Sequence, residues 1–586
     1  MIWKICYILS IAVILPAVII YIHRYRIKKV KLSSALKPLF AGFSIGLFVL
    51  LLPIQLDAFG TGFADVVKAV LASVNRTLRA FVLTDINFMK DTQSIDKSLY
   101  PLYSTTLMIL CFVCPFISLS YILTFFSKLK AGLRFAFVRF RHLCVFSCLN
   151  EGSLALAQDL SRKHPSWRMV FCGVSDPVKG PNEHLINSAE RIRAICFTKD
   201  ILSVNLTVHS KKKQLLIFAI SDDEQKNTND ALGLLSKFRD RDGVGLYLFS
   251  TLTESSLMLS GADCGKVRVR RIDMPRSLIY RMLYDQGNLL FENAEQLPDG
   301  TRRISAVIVG LGACGMQMLK ALTWYCQMNG YTLVINGFDR RHNARSQLEA
   351  MCPDILDPVY NKTDIEGEAN YTIHIHDGVE IQSGEFNRLL GEADRPTFAF
   401  VALGDDSVNI DESVRLRILF ERSRIQPEIF TVIRNSDKKQ LLDHAKNYKG
   451  QEYHIHTIGD DASAYSEQEI LSSEIEEEAL RLHKEWGDEE SFWRYEYNYQ
   501  SSLVRAIHSR AVAAQYPSDR ELTDSEKLSR AVTEHKRWNA YMRTQGYTYS
   551  GSTQKSSRND LGKLHNDLVP FSELEEAEKQ KDFSLG

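Results

Sequence analysis

Residues 303–339 constrain this chain more than any other stretch. The run Ile304-Ser305-Ala306-Val307-Ile308-Val309 is short, apolar and β-branched, which reads as a strand buried on both faces of a parallel sheet. Gly310-Leu311-Gly312-Ala313-Cys314-Gly315 follows at once and fits G-x-G-x-x-G. Residues 316–328 then read as a helix, with Met318, Leu319 and Leu322 placed to pack on a sheet, and residues 331–338 as a second strand ending in Asp339. That order supplies a mechanism. Gly310 permits a tight turn, Gly312 lets backbone approach a pyrophosphate, and Gly315 lets helix and strand close on each other. Phosphates would lie on the helix N-terminus. Asp339, somewhat beyond the usual spacing of about twenty residues, would accept ribose hydroxyls.

The alternation continues with strands over residues 371–376, 397–403 and 428–433 and helices over 384–390 and 413–424. It also precedes the glycines: strands over 142–148, 168–174, 194–197, 215–220 and 245–249, and helices over 152–162 and 228–238. Phe218-Ala219-Ile220-Ser221-Asp222-Asp223 and Val401-Ala402-Leu403-Gly404-Asp405-Asp406 mark an internal repeat. The expected fold class is therefore α/β, with two tandem doubly wound Rossmann-like domains at 141–290 and 302–460. In the first copy the turn reads Ser147-Cys148-Leu149-Asn150-Glu151-Gly152, and only the packing glycine remains. A leucine and an acid at the diphosphate position suit a structural or interface role better than nucleotide binding.

Residues 1–130 read as a membrane region. Apolar runs over 5–22, 36–56 and 101–126 each have the length a bilayer crossing needs. Basic residues follow the first (His23 to Lys31) and the third (Lys128, Lys130, Arg134, Arg139, Arg141). Placing both clusters in the cytoplasm puts the amino terminus outside and the remainder inside, in the inner cell membrane. Between the second and third runs, Phe63, Val66, Val67, Val70, Leu71, Val74, Leu78, Phe81 and Val82 recur at helical steps, with Asp65, Lys68, Asn75, Arg76 and Arg79 between them. This predicts an amphipathic helix over about 63–83, on the outer surface, against the spans, or bundled with copies of itself around a pore. Cys111 and Cys114 lie inside the third apolar run and read as membrane packing.

Lys plus Arg number 71 against 70 Asp plus Glu, which leaves no global electrostatic attraction for nucleic acid. All 11 cysteines precede Pro353 at irregular spacing, unlike a disulfide framework. Beyond residue 466 the chain turns helical and charged, with a connector over 466–518; Glu474, Glu476, Glu477 and Glu478 point around a helix and read as a solvated face.

Tandem units of this form behind membrane spans resemble the RCK (TrkA-N) domains that regulate potassium conductance. The resemblance covers roughly residues 141–459. It implies a homo-oligomer assembled through the Rossmann domains, NAD(H) or another adenine nucleotide as ligand, and a regulatory role. Residues 524–582 resemble the RyR domain first recognised as a repeat in ryanodine receptors. That likeness rests on Glu534-His535-Lys536-Arg537-Trp538, Gly546-Tyr547 and 563–571, with Asn566 standing where the family has proline. It implies a sensor of nucleotide or cyclic nucleotide signals, in bacterial proteins often linked to antiviral defence. Glu534, His535, Arg537 and Trp538 would then hold the ligand, an aromatic beside basic groups suiting a base and a ribose phosphate. The same residues also suit a core tryptophan and an internal ion pair. No positioned base stands beside the glycine turn, so the expected function is a ligand-gated, channel-like or membrane-disrupting protein. A membrane-tethered NAD(P)-dependent oxidoreductase and a non-conducting signalling scaffold are the alternatives.

Overall fold

The structure, a computed structural model, describes residues 2–24, 32–60, 62–82, 98–174, 183–356, 371–444, 447–516 and 520–585. They form two compact units: Met1–Phe140 with Val174–Thr198, and Arg141–Gly173 with Lys199–Gly586.

In the first unit three helices are long and apolar enough to cross a membrane, over Ile2–Ile22, Leu36–Phe59 and Tyr100–Leu119. The first two pack through small residues. Ser10 donates to the Gly46 carbonyl at 2.9 Å, and a side chain at Gly42 would run into Ala17. The Tyr103 hydroxyl donates to the Leu50 carbonyl, and its ring meets Trp3 and Tyr7 at 5.5 and 5.9 Å. Large apolar side chains such as Ile8, Leu15, Ile19, Phe112 and Phe116 point outward. This is the pattern of a bundle solvated by hydrocarbon, where burying large apolar groups gains little and close backbone approach gains more.

The helix expected at 63–83 is present as Phe63–Phe81, and residue 83 lies outside the described residues. Its packing face differs from the one its amphipathic pattern suggests for water. Ala69, Ser73, Thr77 and Ala80 are buried, Ser73 and Thr77 each bonding back four residues at 2.7 Å. Phe63, Val67, Leu71, Val74 and Leu78 are exposed. The reason is the one that governs the spans: small residues admit a close neighbour, and large apolar residues are left to face the solvent.

The second unit contains two parallel sheets. In the first, Arg168–Phe171, Leu143–Phe146, Leu215–Ala219, Val244–Phe249 and Arg268–Ile272 lie side by side in that order. In the second the order is Tyr371–Asp377, Tyr331–Asp339, Arg302–Val309, Phe398–Val401, Glu428–Val432 and Ile455–Ile458, so the chain starts in the middle and winds outward both ways. Such an order leaves a crevice at the carboxyl ends of the first and fourth strands. Both sheets thus gain an outer strand, Arg268–Ile272 and Ile455–Ile458, that the apolar patterning does not signal.

The repeat holds in space with a one-residue slip from the phrase match. Asp223 caps Glu224–Phe238 and Asp405 caps Asp406–Arg422. Four residues on, Asn227 and Asn409 are buried and donate to the ends of the neighbouring strands, at the carbonyls of Phe249 (2.9 Å) and Val432 (2.7 Å). The Asn409 side-chain oxygen also accepts from the Leu403 amide at 2.6 Å.

The connector and the carboxy-terminal segment do not stand apart from the second sheet. One apolar core runs from Ile304, Leu319 and Phe398 through Ile475, Ala479 and Val504 to Ala540, Tyr541 and Leu568. Glu476, expected on a solvated face, is instead buried against Arg270 and Tyr499. Arg270 is held further by donation to the Ile470 carbonyl at 2.8 Å.

Replacing Asn409 by Ala leaves the Val432 carbonyl and Leu403 amide without this partner. Losses of that kind cost about 1–3 kcal/mol each, so the unfolding midpoint in urea should fall measurably; an unchanged midpoint would remove the latch from this account.

Candidate functional site

The three glycines of the turn have different reasons to be glycine. Gly310 has φ +89°, and a Cβ there would lie 2.5 Å from the Ala402 carbonyl oxygen. A Cβ at Gly315 would overlap the Gly310 carbonyl oxygen. Packing therefore demands both. At Gly312 φ is −69° and a Cβ would meet nothing within 4 Å. Gly312 caps the helix Ala313–Tyr325 without any side-chain bond to the first amides, and Ala313 beside it is exposed. The positive end of a helix dipole thus opens onto the crevice at a point kept free of side chains.

Asp339 ends its strand beside this turn and is buried. Its carboxylate is saturated. Oδ2 accepts from the Leu311 amide at 2.8 Å and from Arg341 Nη2 at 3.1 Å, and Oδ1 from the Arg341 amide at 2.8 Å and Nε at 3.0 Å. Arg341 Nη2 also donates to the Leu311 carbonyl at 2.7 Å, so one guanidinium ties the strand tip to the glycine turn. Burial raises the Asp339 carboxyl, but the bonds from Arg341 and from the Leu311 amide outweigh it and hold the group below the usual range. A ribose reaches this carboxylate only by displacing Arg341. Sequence reasoning missed Arg341; the basic run Arg340-Arg341-His342 directly after the acid is the signal for it. It missed Arg434 too, an exposed cation whose charge is felt at Cys314 in the first helical turn, where burial pushes the thiol up and Arg434 acts against it.

The equivalent turn in the first sheet is closed. Asn150 caps Glu151–Lys163 through a reciprocal pair of bonds with Ser153 at 2.8 and 2.9 Å. A Cβ at Gly152 would lie 2.6 Å from the Tyr465 ring, which stacks on Phe249 at 6.1 Å. An aromatic side chain thus lies against the first-turn glycine.

Of the four residues expected in the carboxy-terminal site, three point inward. Glu534 takes two bonds from Arg537, at 2.7 and 2.9 Å, and both are buried. His535 donates to the Val569 carbonyl at 2.8 Å and pairs with Asp582 at 3.2 Å. The i, i+4 spacing of Glu534 and Trp538 predicts a common side of the helix, but that side does not open as a basic, aromatic cleft, because the charges neutralise each other inside the core. Trp538 alone is half-exposed, edge-on to His565 at 4.9 Å. Nearby, Arg558 lies over the Tyr497 ring at 5.7 Å. The helix Asp524–Thr544 carrying these residues shares the core of the glycine-turn helix Ala313–Tyr325.

A cavity of about 480 Å³ lies elsewhere in this unit, lined by Lys163, Arg281, Lys439, Asp159, Asp460 and Glu469 among others. Its cations are paired with its acids (Lys163 with Asp159, Lys439 with Asp460, Arg281 with Glu469), so it expresses no charge preference. The glycine turn, where the chemistry is legible, is the better candidate.

A scan against protein-family models finds none that matches this chain, and a search of curated proteins finds no match either.

Replacing Glu534 by Gln leaves the Arg537 charge buried without its counter-ion. A stability loss of about 3 kcal/mol or more follows from breaking such a pair, whereas a change below about 0.5 kcal/mol, the scale of an ordinary surface substitution, would place the pair in solvent.

Burial, with help from Arg537 and Arg558 respectively, lowers His508 and His565 to about 4 from an ordinary 6.5. The unfolded chain takes up these protons below its ordinary value and the native chain does not until about 4, so stability falls as pH drops through that window. The unfolding midpoint of the solubilised chain should be lower at pH 5 than at pH 7; equal midpoints would contradict the burial of both rings.

Proposed function

We propose that this chain is a nucleotide-regulated membrane protein whose output is ion permeation or membrane disruption. The observation that carries the reading is Gly312. The fold requires glycine at Gly310 and Gly315 but not at Gly312, where a side chain would obstruct only something that approaches from outside. A diphosphate on the exposed amides of that helix is the ligand such a cradle suits. NAD(H) or another adenine nucleotide is the proposed occupant, its ribose taking the place of Arg341 on Asp339.

On this reading the two parallel-sheet regions are RCK-like Rossmann domains, of which only the second binds, and they assemble copies of the chain into a ring. Residues 524–582 are an RyR-like element that senses a nucleotide or cyclic nucleotide signal through Trp538 and its aromatic neighbours. Its shared core with the glycine-turn helix supports energetic coupling between the two sites. The apolar helices lie in the inner cell membrane with the amino terminus outside. Ligand shifts the assembly only by the difference in its affinity for the two arrangements.

Gly312→Ala should leave the unfolding midpoint unchanged and weaken NAD(H) binding at least tenfold by calorimetry, while Gly310→Ala should lose stability outright. Equal NAD(H) affinity in Gly312→Ala and the unsubstituted chain would end the proposal. Arg341→Ala removes the competitor for Asp339, so NADH affinity should rise; a fall would show that Arg341 contributes more to the ligand than it withholds. In liposomes, ion flux should depend on the nucleotide, and flux indifferent to every adenine nucleotide would contradict regulation.

A further inference from the structure

The cavity of about 480 Å³ shares no lining residue with the glycine turn, and its walls come from both parallel-sheet regions of the second unit. The helix Glu151–Lys163, which follows the closed turn of the first sheet, brings Asp159, Arg162 and Lys163. The strand Ile455–Ile458 at the edge of the second sheet brings Thr457 and Ile458. Just past that strand Gly459 has φ +91°, and a Cβ there would lie 3.0 Å from Leu278, so this part of the wall is bare backbone. The longest wall is the helix Met274–Gln286, which stands between the two sheets in sequence. Met274, Ser277, Leu278, Arg281, Met282 and Asp285 recur at three- and four-residue steps, so one whole face of this helix looks onto the space.

The lining sets the chemistry of an occupant. Met274, Leu278, Met282 and Ile458 supply apolar surface, with a few polar groups among them, in a volume of the size that small molecules fill. The charges on the walls are spent on each other. Asp159 meets Lys163 at 3.0 Å and Arg162 at 2.6 Å, and Arg281 donates to Asp285 at 2.7 Å. An occupant with a net charge has to break one of these pairs or stay uncompensated, and either is costly away from water. Glu469 differs from its neighbours in hydrogen bonding rather than in charge. Arg281 stands 3.5 Å from it, but among the described residues no hydrogen bond reaches its carboxylate. Burial pushes this carboxyl above its ordinary value, although Arg281 pulls the other way. It is an acceptor without a donor.

We infer that this cavity is a second small-molecule site, that it takes an uncharged molecule with an apolar body and a hydroxyl or amide N–H, and that Glu469 accepts the hydrogen bond. The occupant touches both sheet regions at once, so its binding energy strengthens their junction. The site goes beyond the nucleotide reading, because the glycine turn contributes none of its walls.

The test places a cysteine on the wall of the full, solubilised chain by Ala464→Cys, with Ala462→Cys as a second placement. Each is equilibrated under 2-mercaptoethanol with an equimolar mixture of three benzyl disulfides that differ only in a hydroxymethyl, an aminomethyl or a carboxylate substituent. Peptide mass mapping reads the introduced cysteine apart from the native ones. The hydroxymethyl disulfide should be captured at least about fivefold over either charged one, since only it leaves the wall pairs intact. It should also lead its methoxymethyl analogue by about threefold, the scale of one hydrogen bond, and Glu469→Ala should erase that lead. Filling the space by Ser277→Phe, or by Gln286→Trp should the first fail to fold, should lower capture at least about fivefold. Preference for a charged disulfide, equal capture of all three, no capture at all, or capture that the filling variants leave unchanged would overturn the inference; equal capture of the hydroxymethyl and methoxymethyl forms would remove Glu469 from it. None of these readings uses a nucleotide or ion flux, so failure of nucleotide regulation leaves them distinct.

Discussion

The second parallel sheet and what packs on it depend on one close contact, the Gly315 Cα against the Gly310 carbonyl, where any side chain would overlap. That contact seats Ala313–Tyr325 on its sheet and aims its amides into the crevice. The same helix carries Leu319, Leu322 and Trp324 into the core that Val504, Ala540 and Tyr541 complete from the carboxy-terminal helices. The turn and the segment around Trp538 therefore share one densely packed core, which gives the proposed coupling between them a physical route.

The two sheets show how a repeat diverges. Both retain the buried asparagine that ties the helix after the fourth strand to the end of the fifth, a requirement of the fold itself. The first has traded its glycine turn for an asparagine cap and set Tyr465 against Gly152. The second keeps its turn open at Gly312 and sets Arg341 on the acid. The two copies differ at the crevice and agree in the frame.

Much of this frame is legible in the sequence because strands buried on both faces must be apolar throughout, and the glycine spacing then locates the first turn. Arg268–Ile272 is not legible, since Arg270 is buried there only by virtue of Glu476 and Tyr499, more than two hundred residues away. For the candidate site, Gly310, Gly312, Gly315 and Asp339 fall where spacing puts them, but spacing cannot reveal that Asp339 is already saturated by Arg341. Nor does helical periodicity say which side of Asp524–Thr544 meets the core, and so Glu534, His535 and Arg537 turn inward while Trp538 is only partly buried against it. In Phe63–Phe81 the amphipathic pattern is legible, but it leaves the packing face open, and small residues rather than large ones make the contact.

The account's central claim is that occupancy of the crevice beside Gly312 is felt by the membrane helices. Hydrogen–deuterium exchange of the chain in liposomes, with and without NADH, measures both ends at once. The account predicts slower exchange over residues 310–316 and 339–345 together with altered exchange over 63–81. Protection confined to the turn, or none there at all, would contradict it.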